Sequence, residues 1–196
     1  EPFFFSKMKN ADAKQTYSNV MKVYFIFLLF IFLGVIAYMD ILQYFVGEEY
    51  RSGLKVVPIL LAANLCLGVY YNLSIWYKVS DKTIYGAYIS IIGAVVTLVL
   101  NYLLVPQFGY MGAAYTTLIC YFLIMVICWA FGQKYYPVKY PLKRLFLYTM
   151  LAFGLFLLMN NNTIANIPLK LFVNSILLLA FAAVAYWFEL RKALKR

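Results

Sequence analysis

Charged residues along this chain are separated by long uncharged stretches. Seventeen uncharged residues lie between Lys22 and Asp40, 22 between Lys55 and Lys78, and 51 between Lys82 and Lys134. A further 25 separate Arg144 from Lys170, and 18 separate Lys170 from Glu189. A helix crosses a hydrocarbon core of roughly 30 Å with about 20 apolar residues. The 51-residue stretch is therefore long enough for two crossings, and Pro106-Gln107-Phe108-Gly109 supplies a Pro/Gly turn signal between them. The 25-residue stretch predicts a helix ending near Met159. Asn160-Asn161-Asn162-Thr163 then reads as a loop, and Pro168 suits the first turn of the next helix. Six helices are predicted, over residues 17–39, 55–78, 83–105, 109–132, 142–159 and 167–188. The runs are continuously apolar rather than alternating, which argues against outer-membrane strands. An α-helix satisfies its own backbone groups in lipid.

Composition strengthens this reading. Of 196 residues, 65% are hydrophobic and only 12% charged, against roughly 45–50% apolar and about 25% charged in soluble domains. One soluble core of this size could not hide so much apolar side chain. The expected fold class is all-α: a polytopic transmembrane bundle of six helices. Three domain segments are expected: 1–16 before the first helix, 17–145 holding four helices, and 146–196 holding the last two and a basic tail. Glu1 is followed by Phe3, Phe4 and Phe5 with no basic segment before them. That is not a signal-peptide pattern and reads as a fragment cut just after an earlier membrane element.

The net charge of +10 is largely a topology signal. Lys7, Lys9, Lys14 and Lys22 mark the first entry, Lys78 and Lys82 the second connection, and Lys134, Lys139, Lys143 and Arg144 the fourth. Arg191, Lys192, Lys195 and Arg196 form the tail, so 14 basic residues fall on one side, against Arg51, Lys55 and Lys170 on the other. The positive-inside rule then places both termini in the cytoplasm. Nucleic acid is not an expected partner; the lipid bilayer is.

Candidate chemistry is sparse. The chain has no histidine, and Cys66, Cys120 and Cys128 all lie in apolar runs, so no metal site or disulfide framework is expected. No Asp or Glu falls within a predicted span, and there is no Gly-rich phosphate loop or nucleophile–base pair, so no enzyme is expected. The third helix carries Gly86, Ser90, Gly93, Thr97 and Asn101 at steps of four, three, four and four, which puts small and polar residues on one face. Gly86 and Gly93 read as a helix-packing seam. Thr97 and Asn101 read either as part of that seam or as lining of a water-filled path. Asn64 and Asn72, two turns apart on the second helix, must both face protein or water; each reads first as a packing hydrogen-bonder and otherwise as a substrate-path candidate. Pro58 offers a kink early in that helix. The fourth helix opens Gly109-Tyr110-Met111-Gly112-Ala113-Ala114 and continues with Thr116, Thr117 and Cys120, so a tight hairpin packed at Gly112 is expected. The last two helices, rich in Leu, Phe and Ala, are expected to face lipid, with Asn174 and Ser175 as polar exceptions.

Residues 53–145 carry a recognisable pattern. It includes Gly53-Leu54-Lys55-Val56-Val57-Pro58, Tyr70-Tyr71-Asn72-Leu73-Ser74-Ile75-Trp76-Tyr77-Lys78 and Asp81-Lys82-Thr83. Asn101-Tyr102-Leu103-Leu104-Val105-Pro106, Gly109-Tyr110-Met111-Gly112-Ala113-Ala114 and Gly132-Gln133-Lys134-Tyr135-Tyr136-Pro137 complete it. The chain resembles the C-terminal half of bacterial polysaccharide biosynthesis proteins. These are lipid-linked oligosaccharide flippases of the O-antigen and capsule type, within the multidrug/oligosaccharidyl-lipid/polysaccharide exporter superfamily. The resemblance implies the C-terminal lobe of a MATE-like transporter fold in the bacterial inner membrane, with an N-terminal helical lobe missing. It implies an undecaprenyl-diphosphate-linked oligosaccharide as the partner moved between leaflets, and no cofactor. A diphosphate cannot cross hydrocarbon bare, so a hydrated cavity between rocking lobes is expected. Lys22, Lys78 and Lys82 are candidates for the cytoplasmic mouth of that path, with snorkelling anchors as the other reading. A cation-coupled multidrug antiporter of the same fold and a non-transporting membrane assembly protein are the alternatives.

Overall fold

The computed structural model of the protein describes residues 13–162, 164 and 166–190. Most of the expected N-terminal segment, with Lys7 and Lys9, and the basic tail Arg191, Lys192, Lys195 and Arg196 lie outside the described residues. Among those described there is no strand. Six helical segments are long and apolar enough to cross a membrane: Ala13–Ala37, Glu48–Val79, Ile84–Phe108, Tyr110–Tyr135, Leu142–Asn160 and Ile167–Glu189. The protein is an all-α, polytopic helix bundle.

In chain order the helices are α1 (Ala13–Ala37), the short α2 (Met39–Leu42), α3 (Val57–Leu73), α4 (Ile75–Val79), α5 (Ile84–Phe108), α6 (Tyr110–Tyr135), α7 (Leu142–Asn160) and α8 (Ile167–Ala185). The described chain forms two compact units, residues 13–22 with 55–140, and residues 23–54 with 141–190. Each unit draws on part of α1.

In the first unit α6 is central, packing along both α3 and α5. Pro58 stands in the first turn of α3 rather than inside it. A proline there removes only a backbone donor that has no α-helical acceptor anyway, and the winding changes from 3-10 to α between Val56 and Val57, beside it. A further break falls at Ser74, which separates α3 from α4 and returns its hydroxyl to the Tyr71 carbonyl at 2.7 Å. The turn expected over 106–109 also narrows. Pro106, Gln107 and Phe108 all stay helical, and only Gly109, at φ +56°, reverses the chain. Pro106 lies in the last turn, where its ring removes one backbone donor and its fixed φ already suits a helix. Glycine adopts the positive φ without a Cβ penalty.

In the second unit α7 packs against α8. Asn166 caps α8 by accepting from the Leu169 amide at 3.4 Å, with Pro168 in the first turn as the sequence predicts. A π-turn over Tyr186–Leu190 follows α8. It carries Glu189 into the helical segment and buries it, whereas the charge spacing predicts every carboxylate to lie outside the spans.

Candidate functional site

The small-residue face of α5 meets α6. The space above Gly93 is closed by Ile124 and Cys120, whose nearest atoms lie 3.2 Å and 3.6 Å from where a Cβ would stand. The Thr97 hydroxyl lies 3.2 Å from Cys120 Sγ, and that thiol in turn donates to the Gly93 carbonyl at 3.3 Å. Gly112 lies against the backbone of Leu104, so close that a Cβ there would stand 2.7 Å from the Leu104 carbonyl carbon. Gly86 belongs to a different contact, facing the Tyr77 ring of α4. Ser90 is exposed and spends its hydroxyl on the Gly86 carbonyl of its own helix at 2.9 Å. Thr97 is therefore engaged in the seam, while Asn101 is half-buried with its amide oxygen shielded from solvent.

The two asparagines of α3 sit differently. Asn72 is half-buried. Asn64 is exposed, and its amide nitrogen turns back to the Leu60 carbonyl at 2.8 Å. Eight residues exceed two full turns by most of a residue, and the difference rotates the two side chains apart.

Of the three candidate basic residues, Lys82 is placed most clearly: its ammonium sits 3.9 Å from the centre of the Tyr135 ring. That ring stacks on Trp76 at 5.7 Å, and its hydroxyl accepts from Tyr85 at 2.7 Å. The result is an aromatic block joining α4, α5 and α6, with a cation on top. Lys78 lies in the last turn of the neighbouring short helix, half-buried. Lys22 is not at a helix entry, because α1 already runs from Ala13. At 1.5 Å per residue it lies about 13 Å along the rod.

The same end of the first unit gathers several of the basic residues that the sequence places on one side. Ala13, Tyr17 and Val79 pack together with Tyr136, and the Ser18 hydroxyl donates to the Lys139 carbonyl at 2.8 Å. Lys14 sits 4.7 Å from the centre of the Tyr136 ring. Burial raises the phenol pKa of Tyr136 and, with Cys128 and Tyr136 adding to it, that of Tyr140. Both therefore remain neutral at physiological pH and add no negative charge beside those lysines.

Sequence reasoning misses two polar ties in the second unit. Lys170 pairs with Asp40 at 2.8 Å, and beside it the buried Asn174 donates to the Ala37 carbonyl at 3.2 Å. Ser175 and the Tyr38 hydroxyl are 3.0 Å apart. The face of α8 that carries the two polar exceptions thus closes the C-terminal end of α1, where helix carbonyls lack partners. Arg144 holds both carboxylate oxygens of Glu189, at 3.0 Å and 3.3 Å. Its place in the sequence marks Arg144 only as a topology charge. The lone polar positions 174 and 175 are the available signal for the first tie, whereas the second depends on the π-turn, which no residue pattern announces.

These features define a multi-pass helical membrane protein. Compared with family models, curated proteins and solved structures, the chain finds no match.

Proposed function

We propose that this chain is part of a bacterial inner-membrane transporter that moves an undecaprenyl-diphosphate-linked oligosaccharide between leaflets for surface polysaccharide export. The observation that carries this reading is the exposure of Asn64 at the middle of the membrane-length segment Glu48–Val79. An amide side chain at that depth is costly against lipid, roughly 1–3 kcal/mol on protein-derived scales. It suits a surface that meets water or further protein, as the wall of a hydrated path would. The resemblance of residues 53–145 to polysaccharide flippases supplies the substrate class. The helical lobe that the resemblance implies would complete the path opposite α3, and the basic end gathered around Lys14, Lys82 and Lys139 would face the cytoplasm, where the lipid-linked substrate is made.

The test is genetic and chemical. Asn64→Leu in the complete protein should lower surface polysaccharide and leave lipid-linked repeat units on the inner leaflet, with protein abundance unchanged. Normal export by that variant would remove the reading. Glu189 bears on the cation-coupled antiporter, which needs a carboxylate free to exchange ions. Its hold on Arg144 speaks against that role.

A further inference from the structure

Two buried oxygen atoms in the α5–α6 hairpin have no hydrogen-bond partner among the described residues: Asn101 Oδ1 and Thr116 Oγ1. Their positions in the hairpin are related. Gly112 lies on Leu104 near the turn, and Cys120 meets Thr97 farther along. Between those two contacts, one turn on from each, the antiparallel register sets Asn101 opposite Thr116.

Thr116 is unusual among the hydroxyls of this protein. Ser90, Thr117, Thr149 and Ser175 each donate to the carbonyl four residues earlier, the ordinary way for a helix to satisfy a hydroxyl in an apolar setting. Thr116 does not, although at 0% exposure it is one of the most completely buried side chains in the molecule. Asn101 Oδ1 can only accept, while a threonine hydroxyl donates one hydrogen bond and accepts others. A direct bond between them would satisfy both, yet none forms. Buried polar groups are otherwise almost always paired, with protein or with ordered water.

We propose that Asn101 and Thr116 hold a single buried water molecule between α5 and α6. The water donates to Asn101 Oδ1 and accepts from the Thr116 hydroxyl, which satisfies both atoms. Asn101 is then part of the hairpin interior, a role that stands whether or not the protein transports glycolipid.

Radiolytic hydroxyl-radical footprinting of the complete protein in lipid nanodiscs tests this, because radicals arise where water is held. Cys120, one turn from Thr116, should be oxidised severalfold faster than Cys128, although both thiols are buried. Thr116→Val keeps the side-chain shape but removes the hydroxyl, and should bring Cys120 down to the rate of Cys128. Thr116→Ser should keep the wild-type rate, which also serves if the valine variant fails to accumulate. Equal rates at the two cysteines in the wild-type protein, or a Cys120 rate unchanged in Thr116→Val, would overturn the assignment.

Discussion

Gly112 stands so close to Leu104 that a methyl group on it would run into the Leu104 carbonyl. The obstacle is backbone rather than the tip of a flexible side chain, so neither helix can yield locally. This contact fixes how tightly the hairpin closes beyond Gly109, and it sets the register of every pair farther along. Overpacking at such a point costs about 1–3 kcal/mol. Gly112→Ala should therefore lower both membrane abundance and melting temperature. Gly154→Ala in α7, where nothing lies within 4 Å of the added methyl, should lower neither, since alanine is the better helix former.

The Arg144–Glu189 pair is asymmetric. The Glu189 side chain is 5% exposed, whereas that of Arg144 is 53% exposed. Loss of the arginine takes from a buried carboxylate the cation that holds both its oxygens; loss of the charge on Glu189 leaves an arginine that water can solvate. Breaking a fully buried pair costs roughly 3–5 kcal/mol, and screening at the exposed guanidinium brings this to about 1–3 kcal/mol here. Arg144→Gln should be destabilising, Glu189→Gln much less so, and the double variant should recover most of the loss in thermal melts.

Asn174 serves the end of a helix other than its own. Its amide donates to the Ala37 carbonyl from a site only 2% exposed. Asn174→Leu leaves that carbonyl without its donor, which should cost about 1–3 kcal/mol. Ser175→Ala should cost less, because side-chain hydrogen bonds between membrane helices average about 0.6 kcal/mol. Denaturant unfolding in mixed micelles would compare the two.

Membrane sidedness is open to direct labelling. Lys139 lies in the connection before α7 and Asn161 just after it, with one membrane-length helix between them. Single cysteines at the two positions, in a background lacking Cys66, Cys120 and Cys128, should react with a membrane-impermeant maleimide from opposite sides. Labelling of Lys139→Cys should require access to the cytoplasm.

The six spans were legible because the signal is coarse: uncharged length and continuous apolarity are set by the solvent a helix must cross, whichever neighbour it packs against. The glycines of the hairpin were legible for a related reason, since a residue without a side chain at a regular spacing has little purpose except close approach. Individual polar residues were a different matter. Thr97 and Asn101 share one face of α5, yet Cys120 engages Thr97 while the Asn101 amide oxygen has no partner among the described residues. Asn64 and Asn72 share a helix but not an environment.

Sequence by itself determined that the chain is a set of apolar rods with charged ends, because hydrophobic length and charge placement are properties of each segment alone. Tertiary structure decided which carbonyl Asn174 would cap, that Glu189 would turn inward to Arg144, and that Gly109 rather than Pro106 would make the turn. Those outcomes depend on the register between helices and on one π-turn. Both are settled by how surfaces fit together, which one-dimensional spacing does not encode.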